Sequence, residues 1–172
     1  TTDGGVFYTT KPNDNGYIFD ACNTGLATFT MNHLGQHPTE DAILYCGTQD
    51  NGGLCYLGDE AWTYVSGGDS GYFVVNWYNP YQVLDTYTYA TIRHSNNGSQ
   101  YESFGVYYTI PLAEGEACLF YAPLVGTSYH PTLLKTNPSV AEQEANLVAF
   151  GSERPWISND FGETWQSIPT NT

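Results

Sequence analysis

The sequence Ser158-Asn159-Asp160-Phe161-Gly162-Glu163-Thr164-Trp165, near the end of this 172-residue chain, decides its fold. It follows the pattern S-x-D-x-G-x-T-W, in which each fixed residue suits a tight β-turn. The Asp160 carboxylate can accept hydrogen bonds from backbone N–H groups of its own turn. Gly162 can adopt a positive φ without steric penalty, and the indole of Trp165 can pack back onto the sheet. The segment predicts a β-hairpin whose structural residues are Ser158, Asp160, Gly162, Thr164 and Trp165.

The rest of the chain has the pattern of short β-strands. Apolar and aromatic residues come in runs of about five to eight, separated by clusters of Gly, Asn, Asp and Pro, which is typical of antiparallel hairpins. Only residues 139–145 tolerate a helix, and there we expect no more than a turn or so inside a loop. The predicted fold class is all-β, with clear runs at 6–10, 42–46, 72–77 and 146–150.

A repeat becomes visible when the strands are aligned on their X-Pro turns. Pro38 and Pro80 are 42 residues apart, and Pro80 and Pro138 are 58 apart, so the last unit carries an insertion. A period near 42 residues with four strands per unit is typical of a β-propeller blade. We therefore predict that residues 1–172 form one propeller segment of about three and a half four-stranded antiparallel blades. The predicted boundaries are a half-blade at 1–22 and blades at 26–66, 71–110 and 117–169.

Two degraded copies of the hairpin motif lie at 2–5 and at 95–98, the second without its Asp. Together with the order of the other motifs, they make the chain resemble the Asp-box (BNR-repeat) propellers, the group that includes sortilin-like and xyloglucanase-like domains. The resemblance spans essentially the whole chain and implies a propeller fold but no specific ligand. The motifs that carry it, besides the Asp-box itself, are Asp3-Gly4-Gly5-Val6-Phe7, Asn23-x-Gly25-Leu26, Gly47-Thr48-Gln49-Asp50-Asn51-Gly52, Gly67-Gly68-Asp69-x-Gly71 and Pro123-Leu124.

An arc of three and a half blades is an incomplete ring, since propellers close with four to eight blades. An open arc leaves blade faces and strand edges exposed to water. We therefore expect that another protein chain or further propeller blades complete it, or that the chain is a fragment of a longer protein.

The amino-acid composition limits the classes of molecule that this chain can bind. Four Lys and Arg against 18 Asp and Glu give a formal net charge of −14, which argues against nucleic acid and against an anionic membrane surface. No apolar run approaches the roughly 20 residues of a membrane-spanning helix. The acidity fits a well-solvated surface or, alternatively, attraction of cations or of a basic partner. Four cysteines, few basic residues and a chain that begins at Thr1 without Met favour a processed, secreted protein.

Two of the cysteines have a spacing that permits a disulfide. If Asp50-Asn51 forms a two-residue hairpin turn, Cys46 faces Cys55 in a non-hydrogen-bonded pair with Cα atoms about 4.5 Å apart, within bonding range. If Asn51-Gly52 is the turn instead, the register slips and the bond is not expected. The alternative is two buried free thiols.

Catalytic candidates are few. Asp50 and Asp69 lie in Gly-rich turns of one predicted blade and are the best carboxylate pair for glycoside hydrolysis. Asp in such turns is also ordinary turn chemistry. The resemblance makes sialidase activity a further candidate. The sialidase family pattern, however, needs three arginines that bind the substrate carboxylate, and this chain has only Arg93 and Arg154. We therefore lean towards a protein that is not an enzyme.

Binding candidates are more numerous. Tyr72, Trp77, Tyr78 and Tyr81 flank one X-Pro turn and could form an aromatic platform for sugar rings or peptide side chains. The alternative is that these rings pack between blades. No cofactor is expected, although oxygen ligands in the turns could hold calcium, and the calcium candidates are Asp3, Asp14, Asp50 and Asp69.

The function predicted from these observations is a secreted, non-enzymatic interaction or scaffold domain that contributes blades to a larger extracellular assembly. The first alternative is the propeller part of a polysaccharide-active glycoside hydrolase, and the second is a carbohydrate-binding, lectin-like module.

Overall fold

The structure is a computed structural model that describes residues 6–9, 12–13, 16–17, 19–22, 24, 30–98 and 104–169. The chain forms two compact units, Thr1–Thr30 and Met31–Thr172.

The first unit contains two small antiparallel pairs of strands. Strand β1 (Phe7–Tyr8) pairs with β4 (Asp20–Ala21), and β2 (Pro12–Asn13) pairs with β3 (Gly16–Tyr17). All four strands fall within the range predicted as a half-blade.

The described part of the second unit contains three four-stranded antiparallel sheets, and in each sheet the strand order follows the chain. Blade 1 consists of β5 (Met31–Gln36), β6 (Leu44–Thr48), β7 (Gly53–Tyr56) and β8 (Thr63–Ser66). Blade 2 consists of β9 (Phe73–Val75), β10 (Val83–Thr86), β11 (Thr91–Ser95) and β12 (Val106–Thr109). Blade 3 consists of β13 (Leu124–Gly126), β14 (Val148–Gly151), β15 (Pro155–Ser158) and β16 (Gln166–Ser167).

The first strands of the three blades lie side by side, as propeller blades do around an axis. Strand β9 contacts β5 on one side and β13 on the other. The approach to β5 is close, since a Cβ atom added to Gly35 would lie 2.8 Å from the Cβ atom of Phe73. Gly126 is similarly close to Val74. These glycines are therefore needed where neighbouring blades meet.

Two apolar cores hold the blades together. Because strand side chains alternate between the faces of a sheet, blade 2 contributes to one core with each face. The core towards blade 1 contains Tyr45, Cys55, Val65, Phe73, Val83 and Phe104. The core towards blade 3 includes Val74, Leu84, Ile92, Leu124, Val148, Phe150, Trp156, Phe161 and Trp165.

The predicted disulfide between Cys46 and Cys55 is wrong, because the hairpin has a different register. Tyr45 pairs with Cys55, Cys46 pairs with Leu54, and the turn is centred on Asp50, with a φ of 61°. A shift of one residue turns a side chain to the other face of the sheet. The two cysteines therefore point to opposite faces, and both are buried free thiols.

The insertion in blade 3 is more helical than the sequence predicted. Instead of a single turn, it forms α1 (Pro131–Thr136) and α2 (Pro138–Ala145), each with Pro in its first turn, where the missing N–H costs nothing. The helices pack on Trp77. No helix among the described residues has the length and apolar character needed to span a membrane.

Candidate functional site

Asp50 and Asp69 come together at one end of the blades. Asp69 lies in the connection between blades 1 and 2, and its Oδ1 atom accepts a hydrogen bond from the Asp50 backbone N–H at 3.2 Å. The same oxygen accepts a second hydrogen bond from the Tyr121 hydroxyl at 2.8 Å. Tyr121 precedes β13, so one carboxylate links turns from all three blades. Burial, followed by the bond to Asp69, raises the pKa of Tyr121. We call Asp50, Asp69 and Tyr121 the Asp69 cluster.

Arg93, on β11, holds the backbone of the loop that carries Asp69. Its Nη1 atom donates to the Gly67 carbonyl at 2.6 Å, and its Nη2 atom donates to the Asp69 carbonyl at 2.9 Å. The guanidinium group also lies 4.9 Å from the centre of the Tyr87 ring, a cation–π contact. The loop therefore has a rigid attachment to the sheet of blade 2.

Asp85 completes this attachment below the surface. Its side chain is fully buried and forms an ion pair with Arg93. It also accepts hydrogen bonds from Ser66 at 2.9 Å and Ser70 at 2.6 Å. Burial raises the pKa of Asp85 to about 6, against the opposing effect of Arg93 and the two hydroxyl groups. Asp85 was not predicted from the sequence, although a carboxylate that directly follows the apolar residues Val83 and Leu84 is a signal of a buried ion pair.

Aromatic pairs lie at the same end of the blades as the Asp69 cluster, and one of them includes Tyr121. The Tyr72 ring centre lies 4.5 Å from that of His33, and Phe120 lies 4.8 Å from Tyr121. Phe120 also meets Tyr89 edge to face at 5.3 Å. Tyr89 is 56% exposed and has a φ of 52°, which is strained for a residue with a large side chain. Neither Tyr89 nor Phe120 was among the binding residues predicted from the sequence.

The predicted platform of Tyr72, Trp77, Tyr78 and Tyr81 is not one surface. Tyr72 precedes β9 and lies near the Asp69 cluster, whereas the other three follow β9 at the opposite end of the blade. Trp77 is only 4% exposed and donates from Nε1 to Thr127 Oγ1 at 2.9 Å. Tyr78 and Tyr81 are exposed.

The hairpin motif of blade 3 is stabilised from within. Asp160 Oδ1 accepts hydrogen bonds from the Thr164 backbone N–H at 2.8 Å and from Ser158 Oγ at 2.7 Å. Gly162 has a φ of 88°, and Trp165 is 9% exposed and donates from Nε1 to the Gly162 carbonyl at 3.0 Å. These residues serve the fold and present no free functional group to a ligand.

The same contact recurs in the degraded copy of blade 2. There Ser95 Oγ donates to Asn97 Oδ1 at 2.7 Å, so an amide oxygen stands where the full motif has a carboxylate.

Metal binding stays a prediction. Asp3 and Asp14 lie outside the described residues. Among the residues that the structure does describe, no three His, Cys, Asp or Glu side chains are grouped so that they could hold a metal ion.

The comparisons with known proteins support the fold. No protein-family profile and no curated protein matches this chain. Among solved structures it is similar to an ancestral GH74 enzyme, with a TM-score of 0.60 and 13% identity over 83% of this chain and 19% of that one. YCF48 from Cyanidioschyzon merolae gives a TM-score of 0.55 and 8% identity over 84% of this chain and 38% of that one. A GH74 enzyme from Niastella koreensis gives 0.52 and 9% identity over 97% of this chain and 24% of that one.

These structures place the chain among the β-propeller proteins, as a partial propeller of four-stranded antiparallel blades, and the predicted fold class is confirmed. The chain spans less than two fifths of the length of each of these solved chains. At such low identity the likeness concerns the fold alone.

Proposed function

We propose that this chain is a non-catalytic scaffold segment that contributes rigid propeller blades to a larger extracellular assembly. The observation that carries the proposal is the state of the Asp69 carboxylate. Its Oδ1 atom accepts hydrogen bonds from the Asp50 N–H and the Tyr121 hydroxyl, and Arg93 binds the carbonyl of the same residue. A general acid or base must be able to exchange a proton with a substrate. Here the carboxylate joins the β6–β7 turn of blade 1 to the two connections between blades, which supports a structural role.

The extracellular location rests on composition. The net charge of −14 and the small number of basic residues support this inference, since a large net charge keeps a secreted protein soluble. The partners in this proposal are another protein chain or further blades, with calcium as an optional ligand of the acidic turns.

A second candidate is the propeller part of a polysaccharide-active hydrolase. The observation in its favour is that the Asp50 backbone N–H contacts the Asp69 carboxylate at one end of the blades, where Tyr121 also packs against Phe120. A pair of carboxylates is what most glycosidases use for catalysis. Exposed aromatic rings are typical of a surface that stacks on sugar rings.

To test these candidates, the chain is incubated with soluble β-glucans and xylans. Hydrolysis is measured as the release of reducing ends, and binding is measured by affinity electrophoresis. The scaffold proposal expects neither. Hydrolysis that disappears in both Asp50→Asn and Asp69→Asn would establish the hydrolase. Retardation without hydrolysis, lost in Tyr89→Ala but kept in the distant Tyr81→Ala control, would establish a lectin-like module instead.

A further inference from the structure

The first strands of the three blades end around a cavity, at the end of the blades opposite the Asp69 cluster. The cavity has a volume of about 310 Å³. Blade 1 contributes Gln36, the last residue of β5, and blade 2 contributes Val75, the last residue of β9. Blade 3 contributes Thr127, which directly follows β13. We call this space the lower cavity.

One wall of the lower cavity comes from the insertion that distinguishes blade 3 from the repeat. Tyr129, between β13 and α1, lines the cavity and is 38% exposed, and its ring meets the Trp77 ring edge to face at 6.0 Å. Trp77 is itself held by its bond to Thr127 and by packing against the two helices. In repeat proteins, insertions concentrate on one face, which is often the binding face. Here the insertion supplies an accessible aromatic ring to the cavity.

Another wall is the β5–β6 turn of blade 1, which is closed by its own hydrogen bonds. The His37 N–H donates to the Ile43 carbonyl at 3.0 Å. His37 Nδ1 accepts hydrogen bonds from the backbone N–H groups of Thr39, at 3.3 Å, and Glu40, at 3.0 Å. Burial lowers the pKa of His37, against an opposing effect of Glu40, so the ring is neutral at about pH 7 and brings no positive charge. Asp41 lies within this turn and lines the cavity.

The corresponding turn of blade 2 shows that the fold does not require the Asp41 carboxylate. Asn76 in blade 2 does what His37 does in blade 1, since its side chain also accepts hydrogen bonds from the N–H groups two and three residues further on. Its own N–H likewise donates to the carbonyl six residues on. Counted from these two residues, Pro80 of blade 2 occupies the position of Asp41. The same turn therefore forms without a charge at this position.

The Asp41 carboxylate is free to bind a ligand. It is exposed, and it has no hydrogen-bond or ion-pair partner within the part of the chain that the structure describes. Asp69 differs, because the Asp50 N–H and the Tyr121 hydroxyl already bind its carboxylate. No Lys or Arg lines the lower cavity. The cavity thus combines an unpaired negative charge with the exposed ring of Tyr129, in a chain of net charge −14.

This combination fits an arginine side chain. A guanidinium group is planar and permanently charged, stacks on aromatic rings and pairs with a carboxylate through two parallel hydrogen bonds. In the lower cavity Tyr129 offers the ring, Asp41 the carboxylate and Gln36 a further acceptor in its amide oxygen. Arginine is also enriched where proteins meet, and an acidic chain attracts basic partners.

We propose that the lower cavity receives an arginine side chain of a partner protein, which stacks on Tyr129 and pairs with Asp41. This inference rests on the proposed function, because it gives the chemistry by which the scaffold segment holds a partner in its assembly. Since a charge pair contributes to the contact, binding should weaken as the salt concentration rises.

The probe for this site is N-acetyl-arginine methylamide, which represents arginine within a polypeptide. Titration followed by NMR of the isotope-labelled chain should show saturable binding in the millimolar range, with the largest shifts at Gln36, Asp41 and Tyr129. The same compound made from citrulline has a neutral urea in place of the guanidinium group. It should bind at least about fivefold more weakly, because it cannot pair with a carboxylate as an ion.

Two pairs of variants locate the site. Asp41→Asn should weaken binding about fivefold, because it removes the charge and keeps the size of the side chain. Its matched control is Asp59→Asn, which removes the same charge from an exposed position between β7 and β8 of the same blade and should leave the affinity unchanged. Tyr129→Ala should also weaken binding, whereas Tyr129→Phe keeps the aromatic ring and should bind like the wild type.

Equal losses in the two aspartate variants would overturn the proposal, since overall charge alone would then attract the probe. So would equal binding of the citrulline compound, or a titration that does not saturate at about 50 mM probe. Tighter binding of free arginine than of the capped probe would also overturn it, because the cavity would then take an amino acid and not a partner protein. None of these results involves hydrolysis or glucan binding, so failure here is distinguishable from failure of the proposed function.

Discussion

The Arg93 guanidinium and the Asp85 carboxylate form an ion pair at the boundary between blades 1 and 2, with side chains that are 2% and 0% exposed. Arg93 also donates to the carbonyl groups of Gly67 and Asp69, while Ser66 and Ser70 donate to Asp85. A charge this deeply buried is tolerated only because its partners satisfy it. The pair thus connects the core of the blades to the loop that presents Asp69.

Replacing Arg93 with Met should destabilise the chain severely. The change leaves the Asp85 carboxylate buried without its counter-charge, and breaking a buried pair from one side costs about 3–5 kcal/mol. Chemical denaturation monitored by Trp fluorescence measures the loss. The control is Arg154→Met, because the Arg154 side chain is 40% exposed and its partner Glu116, 3.2 Å away, keeps its hydrogen bonds from Ser152 and Trp156, so the loss should be much smaller. Equal losses in the two variants would contradict the assignment.

Asp160→Ala should destabilise blade 3 by about 1–2 kcal/mol, because the turn loses hydrogen bonds to the Thr164 N–H and to Ser158. Glu163→Ala, an exposed change in the same turn, is the control. Burial tends to raise the pKa of Asp160, but the hydrogen bonds from Thr164 and Ser158 outweigh it and lower the pKa overall.

The lowered pKa of Asp160 gives this prediction a pH dependence. A lowered pKa in the folded state means that the carboxylate stabilises the fold above its unfolded pKa of about 3.9. That contribution disappears as the pH falls through the lower folded value. Wild type and Asp160→Ala should therefore converge in stability in strong acid, and a constant difference at every pH would argue against the hydrogen-bonded carboxylate.

His94 should make the fold sensitive to mild acid. Its ring is 3% exposed between Tyr108 and Phe161, and its Nε2 atom is buried without a partner among the described residues. Burial lowers the pKa of His94, against an opposing effect of Glu163. The unfolded chain binds its proton near pH 6.5, before the folded chain does. Stability should therefore decrease as the pH falls below about 6.5.

The variant His94→Gln isolates this effect. Thermal unfolding between pH 7.5 and 5 should show a shallower loss of stability in the variant than in the wild type. His33 and His37, whose pKa values are also lowered by burial, add to this slope, whereas Asp85, whose pKa burial raises to about 6, opposes it equally in both proteins. An unchanged slope in His94→Gln would refute the prediction.

The four thiols should differ sharply in reactivity. Burial raises the pKa values of Cys46 and Cys55 to about 11, and reagents attack the thiolate form. Ellman's reagent should therefore label exposed Cys22 first, then half-buried Cys118, and the other two only after unfolding. Reducing agent should leave the melting temperature unchanged. A fall in the melting temperature on reduction would contradict the assignment of Cys46 and Cys55 as free thiols.

The β-strand content, the blade repeat and the turn of the Asp160 hairpin could be predicted from the amino-acid sequence. These features depend on interactions within a few residues, such as the hydrogen bonds from Thr164 to Asp160 and the positive φ of Gly162. Local preferences of this kind are visible in a single chain. Asp50 and Asp69 could also be predicted as a candidate carboxylate pair, because both lie in Gly-rich turns of neighbouring segments.

Contacts between side chains of different strands and blades could not be predicted, because they depend on the packing of the whole fold. The hairpin around Asp50 could adopt either of two predicted registers, and neither is the one observed, because packing of Tyr45 and Cys55 in the inter-blade core selects the face. The pairing of Arg93 with Asp85 and the bond from Tyr121 to Asp69 likewise depend on how blades stack. Such contacts join residues that are distant in the sequence, so local pattern carries no information about them.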